Sequence, residues 1–276
     1  MNYRHAYHAG NFADVHKHVA LVAALLHLRK KETPFAVIDT HAGRGLYDIA
    51  SEAASRTGEA AQGITRLAGL APQDPALKTY LEIAGSFGAG CYPGSPLIAA
   101  KLLRGQDRLA AIEKHPEEFA ALKRSLAPFH RAKTIEGDGY ERLASLLPPP
   151  ERRGLVLIDP PYESPDECDA LVVAFRSAVR RFATGIYLIW YPLKAAARFE
   201  ALAGEILAAG GTRLSSLTFD IGGAAEPERL SASGLLMVNP PYGFDEQMRA
   251  ASADLLPRLR QGLQARADVE RLGGPE

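Results

Sequence analysis

Sulfur is scarce in this 276-residue chain: two cysteines, Cys91 and Cys168, stand far apart and form no CxxC pattern. That argues against a disulfide framework and against a cysteine zinc site, and it makes the reducing cytoplasm the expected compartment. Net charge is missing too, since 32 Lys+Arg balance 32 Asp+Glu. Such a balance argues against a tail-driven or histone-like polyanion binder but leaves room for a local basic patch on a neutral enzyme. Long apolar runs are also absent. The longest early one, Val19 to Leu26, is too short to span a bilayer, is flanked by His16-Lys17-His18 and Arg29-Lys30-Lys31, and follows no signal peptide. A soluble, cytoplasmic protein is expected, with enough chain for one large domain or a domain carrying an insertion. No internal repeat is visible.

What is present is an alternation. Apolar runs that read as buried strands occur at Phe35–Asp39, Leu109–Glu113, Lys133–Glu136, Leu155–Asp159, Gly185–Trp190, Arg213–Asp220 and Ser233–Val238. Helical patterns at Pro116–Leu126, Tyr140–Leu147, Asp166–Arg181 and Lys194–Ala209 separate most of them. Strands of this kind alternating with helices predict an α/β fold, a parallel sheet covered on both faces. The last two strands are joined by the helix-free loop 221–230, which suits an antiparallel pair at the sheet edge. Seven strands with the last reversed is the class I (Rossmann-like) methyltransferase arrangement. Two pieces lie outside the alternation. Residues 12–31 read as an amphipathic helix with Asn11 as N-cap and Val15, Val19, Val22 and Leu26 on one stripe. Residues 47–95, with Pro72, Pro75 and a glycine-rich exit, read as a small helical subdomain inserted into a main domain of residues 1–46 and 96–276. The tail from Gln261 loses periodicity and is expected to fray.

In open parallel sheets, ligands bind beyond the carboxyl ends of the strands. After the first strand comes Asp39-Thr40-His41-Ala42-Gly43-Arg44-Gly45, either a cofactor loop or a plain tight turn; Asp48 stands where a dinucleotide fingerprint has its third glycine. Glu113 ends the second strand, where a carboxylate can accept from both hydroxyls of a ribose; the alternative is an exposed strand-end acid. Asp138, between two glycines after the third strand, can accept from an adenine amino group with the Gly139 N–H nearby, or it can simply cap a helix. Together the three fit an adenosine-containing cofactor.

The fourth strand runs Gly154-Leu155-Val156-Leu157-Ile158 into Asp159-Pro160-Pro161-Tyr162. An exocyclic adenine amino group is a poor nucleophile because its lone pair is delocalised into the ring. The Asp159 carboxylate and the Pro160 carbonyl can hold both of its N–H protons and localise that lone pair toward an electrophilic methyl. The prolines set the direction of that carbonyl, and Tyr162 offers a face for an extruded base. Val238-Asn239-Pro240-Pro241-Tyr242 looks similar but carries Asn and follows the last strand; it reads as a turn. His18, one turn from Val15 and Val22, faces the core as a packed polar contact or a cofactor contact. Ser95-Pro96 reads as an N-cap followed by a proline at the first helical position. Five of the eight histidines fall at positions 5, 8, 16, 18 and 27, but no acid or cysteine completes a metal site, so none is expected. The basic pairs at Arg29-Lys30-Lys31, Arg152-Arg153 and Arg180-Arg181 read as solvated surface.

These motifs, with the opening Tyr3-Arg4-His5-Ala6-Tyr7-His8-Ala9-Gly10-Asn11-Phe12-Ala13-Asp14-Val15-His16-Lys17-His18 and the stretch Tyr92-Pro93-Gly94-Ser95-Pro96, resemble the RlmJ family of bacterial 23S ribosomal RNA adenine-N6 methyltransferases. The likeness runs through nearly the whole chain in order. It implies S-adenosylmethionine as methyl donor, with cofactor contacts on His18, His41, Ser95, Glu113, Asp138 and Gly139. It implies Asp159 as the catalytic acid, assisted by Pro160 and Tyr162, and Tyr3 as the residue meeting the RNA. The implied target is the N6 amino group of adenine 2030, in 23S RNA not yet fully packed into the large subunit. We expect a monomer, with no metal and no membrane partner. Arg44-Gly45-Leu46 in the cofactor loop and the C-terminal tail depart from the family pattern.

Two other readings compete. A DNA adenine-N6 methyltransferase would use the same chemistry, but such enzymes carry a further target-recognition region and only the 47–95 segment is spare. A non-catalytic RNA-binding protein on the same fold predicts loss of Asp159 or Tyr162, and both are present.

Overall fold

The structure, a computed structural model, describes residues 8–51, 58–193, 196–223 and 230–273. Tyr3 lies outside them. Helix α1 (Phe12–Arg29) comes first, capped as expected by Asn11, whose side chain accepts from the Asp14 N–H. It is not amphipathic. From Phe12 to Leu25 every residue is buried, because the helix is wedged between the sheet and helices contributed by later parts of the chain. Val15, Val19, Leu21, Val22 and Leu25 are fully enclosed, each contributing roughly 1.5–3 kcal/mol of burial.

Strand β1 (Ala36–Asp39) follows, then β2 (Leu46–Asp48), helix α2 (Glu59–Gln62), a 3-10 turn (Ile64–Leu67), helix α3 (Pro75–Gly85) and β3 (Cys91–Pro93). β2 and β3 pair antiparallel, Tyr47 opposite Tyr92, and close this excursion at its base. Its side chains Leu77, Tyr80 and Ile83 belong to the same apolar cluster as α1.

The rest alternates: α4 (Ser95–Leu102), β4 (Arg108–Glu113), α5 (Pro116–Leu126), β5 (Ala132–Glu136), α6 (Gly139–Leu143), β6 (Gly154–Ile158), α7 (Glu167–Arg181), β7 (Ile186–Pro192), α8 (Ala196–Ala208), β8 (Leu214–Asp220), β9 (Ala232–Val238), α9 (Phe244–Leu259) and β10 (Arg266–Gly273). The helix expected over 140–147 is shorter and ends in a 3-10 turn at Ala144–Leu146. Helix α7 shows the periodicity that α1 lacks, burying Leu171, Val172, Phe175, Ala178 and Val179 on one face.

The main sheet has eight strands in the order β10-β8-β9-β7-β6-β1-β4-β5. The five from β7 to β5 run parallel, and β9 runs antiparallel between β7 and β8. Two expectations are thereby corrected. The sheet has eight strands rather than seven, because the tail does not fray: Arg266–Gly273 pairs antiparallel with β8 and becomes the edge. The β8–β9 pair is therefore interior, not marginal. One apolar cluster fills the face carrying α1, α3, α4, α5 and α9, and another fills the face carrying α6, α7 and α8. Among the described residues no helix is long and apolar enough to cross a membrane.

Candidate active site

The parallel strands β1, β4, β5 and β6 all deliver their carboxyl ends to one cavity of about 570 Å³, a volume in the usual range for a small-molecule site. His18, His41, Ser95, Glu113, Asp138, Gly139, Asp159, Pro160 and Tyr162 all line it, as do Lys17, Tyr140 and Trp190.

Strand β6 is buried on both faces and sits between β1 and β7, so its end point is set from both sides. Asp159 follows directly and keeps about 14 % of its side chain exposed to the cavity. Its Oδ2 accepts from the Lys17 ammonium at 2.5 Å, and the same ammonium donates to Asp14 Oδ1 at 2.8 Å. Burial opposes charge on Lys17, but the two carboxylates outweigh that, holding its pKa above the ordinary lysine range. Lys17 therefore stays an ammonium that holds one oxygen of Asp159, a residue that lines the cavity.

Tyr162 holds a left-handed backbone, φ +52°, a conformation that costs a non-glycine residue of order 1 kcal/mol or more. Its hydroxyl donates to the Trp190 carbonyl at 2.7 Å, and the two rings lie 5.8 Å apart. The Trp190 indole N–H in turn donates to Ser233. The DPPY turn is thus anchored to β7 and β9, presenting two aromatic rings beside Asp159.

Asn239 also has a left-handed backbone, φ +53°, but β9 runs antiparallel, so its turn falls at the opposite end of the sheet. Its amide donates to the carbonyls of Ala183 and Gly185. The second PPY stretch is a turn, as read.

On the other side of the cavity Glu113 is gripped by the backbone: Oε2 accepts from the Gly43 N–H at 2.9 Å and Oε1 from the His115 N–H at 2.7 Å. Burial raises its pKa, with those amides opposing. The Gly43 turn is thereby bound to the strand-end acid rather than being an independent tight turn. Asp138 does cap a helix: Oδ1 accepts from the N–H groups of Tyr140 and Glu141, while Oδ2 pairs with Lys114 at 2.9 Å. Burial acts to raise its pKa, and the ammonium and amides more than offset that. Gly139 begins α6, and a Cβ there would lie 2.1 Å from the Thr40 carbonyl oxygen. Only glycine lets the two turns approach this closely.

Thr40 Oγ1 donates to the Leu157 carbonyl, so it accepts from His41 Nδ1, 2.8 Å away. With the His41 pKa lowered to about 4 by burial, the ring is neutral and its Nε2 is a bare acceptor. His18 is buried, its Nδ1 2.7 Å from the Tyr92 hydroxyl, which contacts that of Tyr80 at 3.0 Å. Ser95 departs from its expected role. Gly94 is the N-cap of α4, and Ser95 is the first helical residue, its hydroxyl donating to Asp39 Oδ2 at 2.6 Å. Asp39 is buried, and loss of solvent chiefly lifts its pKa, to about 7.

The sequence reading missed Lys17, Asp14 and Asp39 as parts of the site. A signal existed for two of them: Asp14 and Lys17 carry opposite charges three residues apart, and so are neighbours on the expected helix. Among the described residues no group of three metal-ligating side chains gathers.

A family model described as "Ribosomal RNA large subunit methyltransferase D, RlmJ" matches residues 32–270. The match includes most of the tail that looked unlike the family. The chain is similar to Ribosomal RNA large subunit methyltransferase J of Escherichia coli K12, 37% identical over 267 residues that cover 95% of this chain and 94% of that one. The Haemophilus influenzae protein of the same name is 36% identical over 268 residues, with the same two shares of coverage. The crystal structure of LPL1258 from Legionella pneumophila superposes with a TM-score of 0.85 at 32% identity, covering 97% of this chain and 98% of that one.

Proposed function

Given that the chain belongs to the RlmJ family of large-subunit ribosomal RNA methyltransferases, we propose that it methylates the N6 amino group of one adenine in 23S RNA. The carrying observation is Asp159 at the end of a buried central strand, with Oδ2 held by Lys17, lining the cavity together with Tyr162 and Trp190. S-adenosylmethionine is the cofactor, and when bound it supplies an electrophilic methyl group.

The cavity wall fits that cofactor. Glu113 keeps lone pairs for the two ribose hydroxyls after accepting its backbone amides. The close approach of Gly139 to the Thr40 backbone brings the β1 and β5 turns together on the cavity wall. In our reading His41 Nε2 and Ser95 complete the wall, with His18 behind them, and Asp138 meets the adenine through the lone pairs its cap leaves.

The chain's own residues then act on the target base. Tyr162 and Trp190 offer faces to a base lifted from its stack, a step that unpaired RNA makes cheaper than duplex DNA does. The Asp159 carboxylate and the Pro160 carbonyl accept the two amino N–H protons, which turns the nitrogen lone pair out of conjugation. When nitrogen gains the methyl it must shed one proton, and Asp159 is the acid-base group in reach. Lys17 fixes the carboxylate's position throughout. We read the substrate as RNA not yet packed into the large subunit, and the enzyme as a monomer.

The test is methyl transfer from radiolabelled S-adenosylmethionine to protein-free 23S RNA lacking native modifications, to a duplex DNA, and to the assembled large subunit. Label recovered as N6-methyladenosine from the free RNA is the expected result. Label only in DNA would keep the chemistry and overturn the substrate, and label on another atom would remove the N6 assignment.

A further inference from the structure

The chain is electrically neutral overall but not locally. The cavity lining mixes signs, with Glu59, Glu118, Glu163 and Glu167 beside Lys17 and Lys114, and Glu118 paired with Arg44. A group of cations lies at the opposite end of the sheet, where the parallel strands begin. The register places Ala36 beside both Arg108 and Gly154, and Leu109 beside Ala132. Arg131 and Arg108 therefore stand at the starts of β5 and β4 in one row, and Arg153 precedes β6 one residue out of it, the three spanning the starts of β5, β4, β1 and β6, about 14 Å at 4.8 Å per strand.

Hydrogen bonds fasten a second group of cations to that row. The Arg153 guanidinium donates to the carbonyls of Thr33 and Leu28, and Arg104 donates to those of Lys31 and Thr33. Two basic clusters more than a hundred residues apart, Lys30-Lys31 and Arg152-Arg153, thus share one surface. The pKa of His27 is lowered first by burial and then by Lys30, Arg153 and Lys31, as a shared positive field requires. Of the acids within these segments, Asp107 is buried against Arg104 and Glu151 is engaged by Arg108, leaving Glu32 exposed.

Structure alone accounts for part of this. Arg104 and Arg153 tie down carbonyls, and a cation at the end of α1 gains about 0.3–1 kcal/mol from the helix dipole. It does not account for Lys31, Arg131 and Arg152, which are exposed and lie outside any helix. Arg152 also adopts φ +54°, where glycine or asparagine would sit with less strain.

We propose that this surface, formed by Lys30, Lys31, Arg131 and Arg152 around Arg153, docks the phosphodiester backbone of the substrate RNA at a distance from the target nucleotide. The proposal rests on the ribosomal RNA reading of the catalytic site. A polyanion suits a surface on which these cations outnumber the exposed Glu32, and 14 Å spans several phosphates spaced about 3.4 Å apart along one strand of a duplex. An RNA that delivers one base to Asp159 and lies along the flank of the domain meets both the site and this surface.

The test compares wild type with a variant carrying Lys30→Gln, Lys31→Gln, Arg131→Gln and Arg152→Gly, leaving Arg104, Arg108 and Arg153 in place. The RNA probe is protein-free 23S RNA, titrated across salt. The variant is expected to bind at least tenfold more weakly near 0.1 M salt, and the slope of log K against log salt is expected to fall by about 3. KM for RNA should rise, with kcat and S-adenosylmethionine binding unchanged. Arg152→Gly alone should bind RNA more weakly while unfolding at the same or a higher temperature, because it relieves strain; a purely structural role would leave binding as it was. A folded variant with wild-type affinity and slope overturns the proposal, as does a wild type that does not bind the RNA. A wild type that binds RNA through this surface and transfers no methyl would sink the N6 reading and leave the surface standing.

Discussion

Lys17 and Asp159 lie 142 positions apart in the chain, and their charged groups meet at 2.5 Å at the floor of the cavity. Asp14 shares the same ammonium, so one buried cation on α1 holds two acids in place. Replacing Lys17 by methionine keeps the length and removes the charge. Breaking a buried pair in this way destabilises by about 3–5 kcal/mol, which a urea titration would read, and methyl transfer should fall by more than the loss of folded protein explains. A variant as stable and as active as wild type would remove Lys17 from the site.

Asp159→Asn separates binding from chemistry. The amide still presents an acceptor oxygen but carries no charge and takes up a proton poorly. S-adenosylmethionine binding, measured by calorimetry, should stay within a few-fold of wild type while kcat falls by two to four orders of magnitude. Full turnover in this variant would show that neither the charge nor the basicity of the carboxylate is needed, and would remove Asp159 as the group that takes the proton.

Glu113→Gln probes the opposite wall. Glutamine has one acceptor oxygen for two backbone donors, Gly43 and His115, and its amino group would face one of them. Cofactor affinity should drop ten- to a hundredfold, the equivalent of about 1.5–3 kcal/mol for hydrogen bonds to a charged group. Unchanged affinity with intact folding would end the ribose assignment.

Asp39 gives a pH signature. Its pKa is raised to about 7 from an ordinary 3.8, chiefly by burial, with Asp159 adding to the rise and Ser95 and Lys17 opposing it. A raised folded-state value means that protonation favours the folded form. The stabilisation is complete below about pH 4 and is lost as the pH rises to 7, a change on the order of 4 kcal/mol at 1.36 kcal/mol per unit. Asp39→Asn should flatten the stability profile between pH 4 and 7 in denaturant titrations. Parallel profiles for the two proteins would mean that Asp39 does not titrate there.

Much of this molecule was readable from local pattern. The run Leu155–Ile158 is apolar throughout because β6 is buried on both faces, and the prolines behind Asp159 stop the strand whatever lies around it. The same holds for Glu113 and Asp138, each placed at a strand end by a run of near neighbours. Periodicity and turn chemistry are written within a few residues, so they survive without knowledge of the fold.

Three things were decided only by tertiary structure. Helix α1 carries a plausible apolar stripe, but its other faces are buried too, since α3 and α9 come from distant chain segments to cover them. The tail alternates weakly and is mostly exposed, so its own side chains do not specify a strand; the open edge of β8 supplies the hydrogen bonds that make it one. The clustering of Lys17 with Asp14 and Asp159, and of Ser95 with Asp39, depends on Coulomb and hydrogen-bond contacts. Those act across a few ångströms of space and are indifferent to separation along the chain.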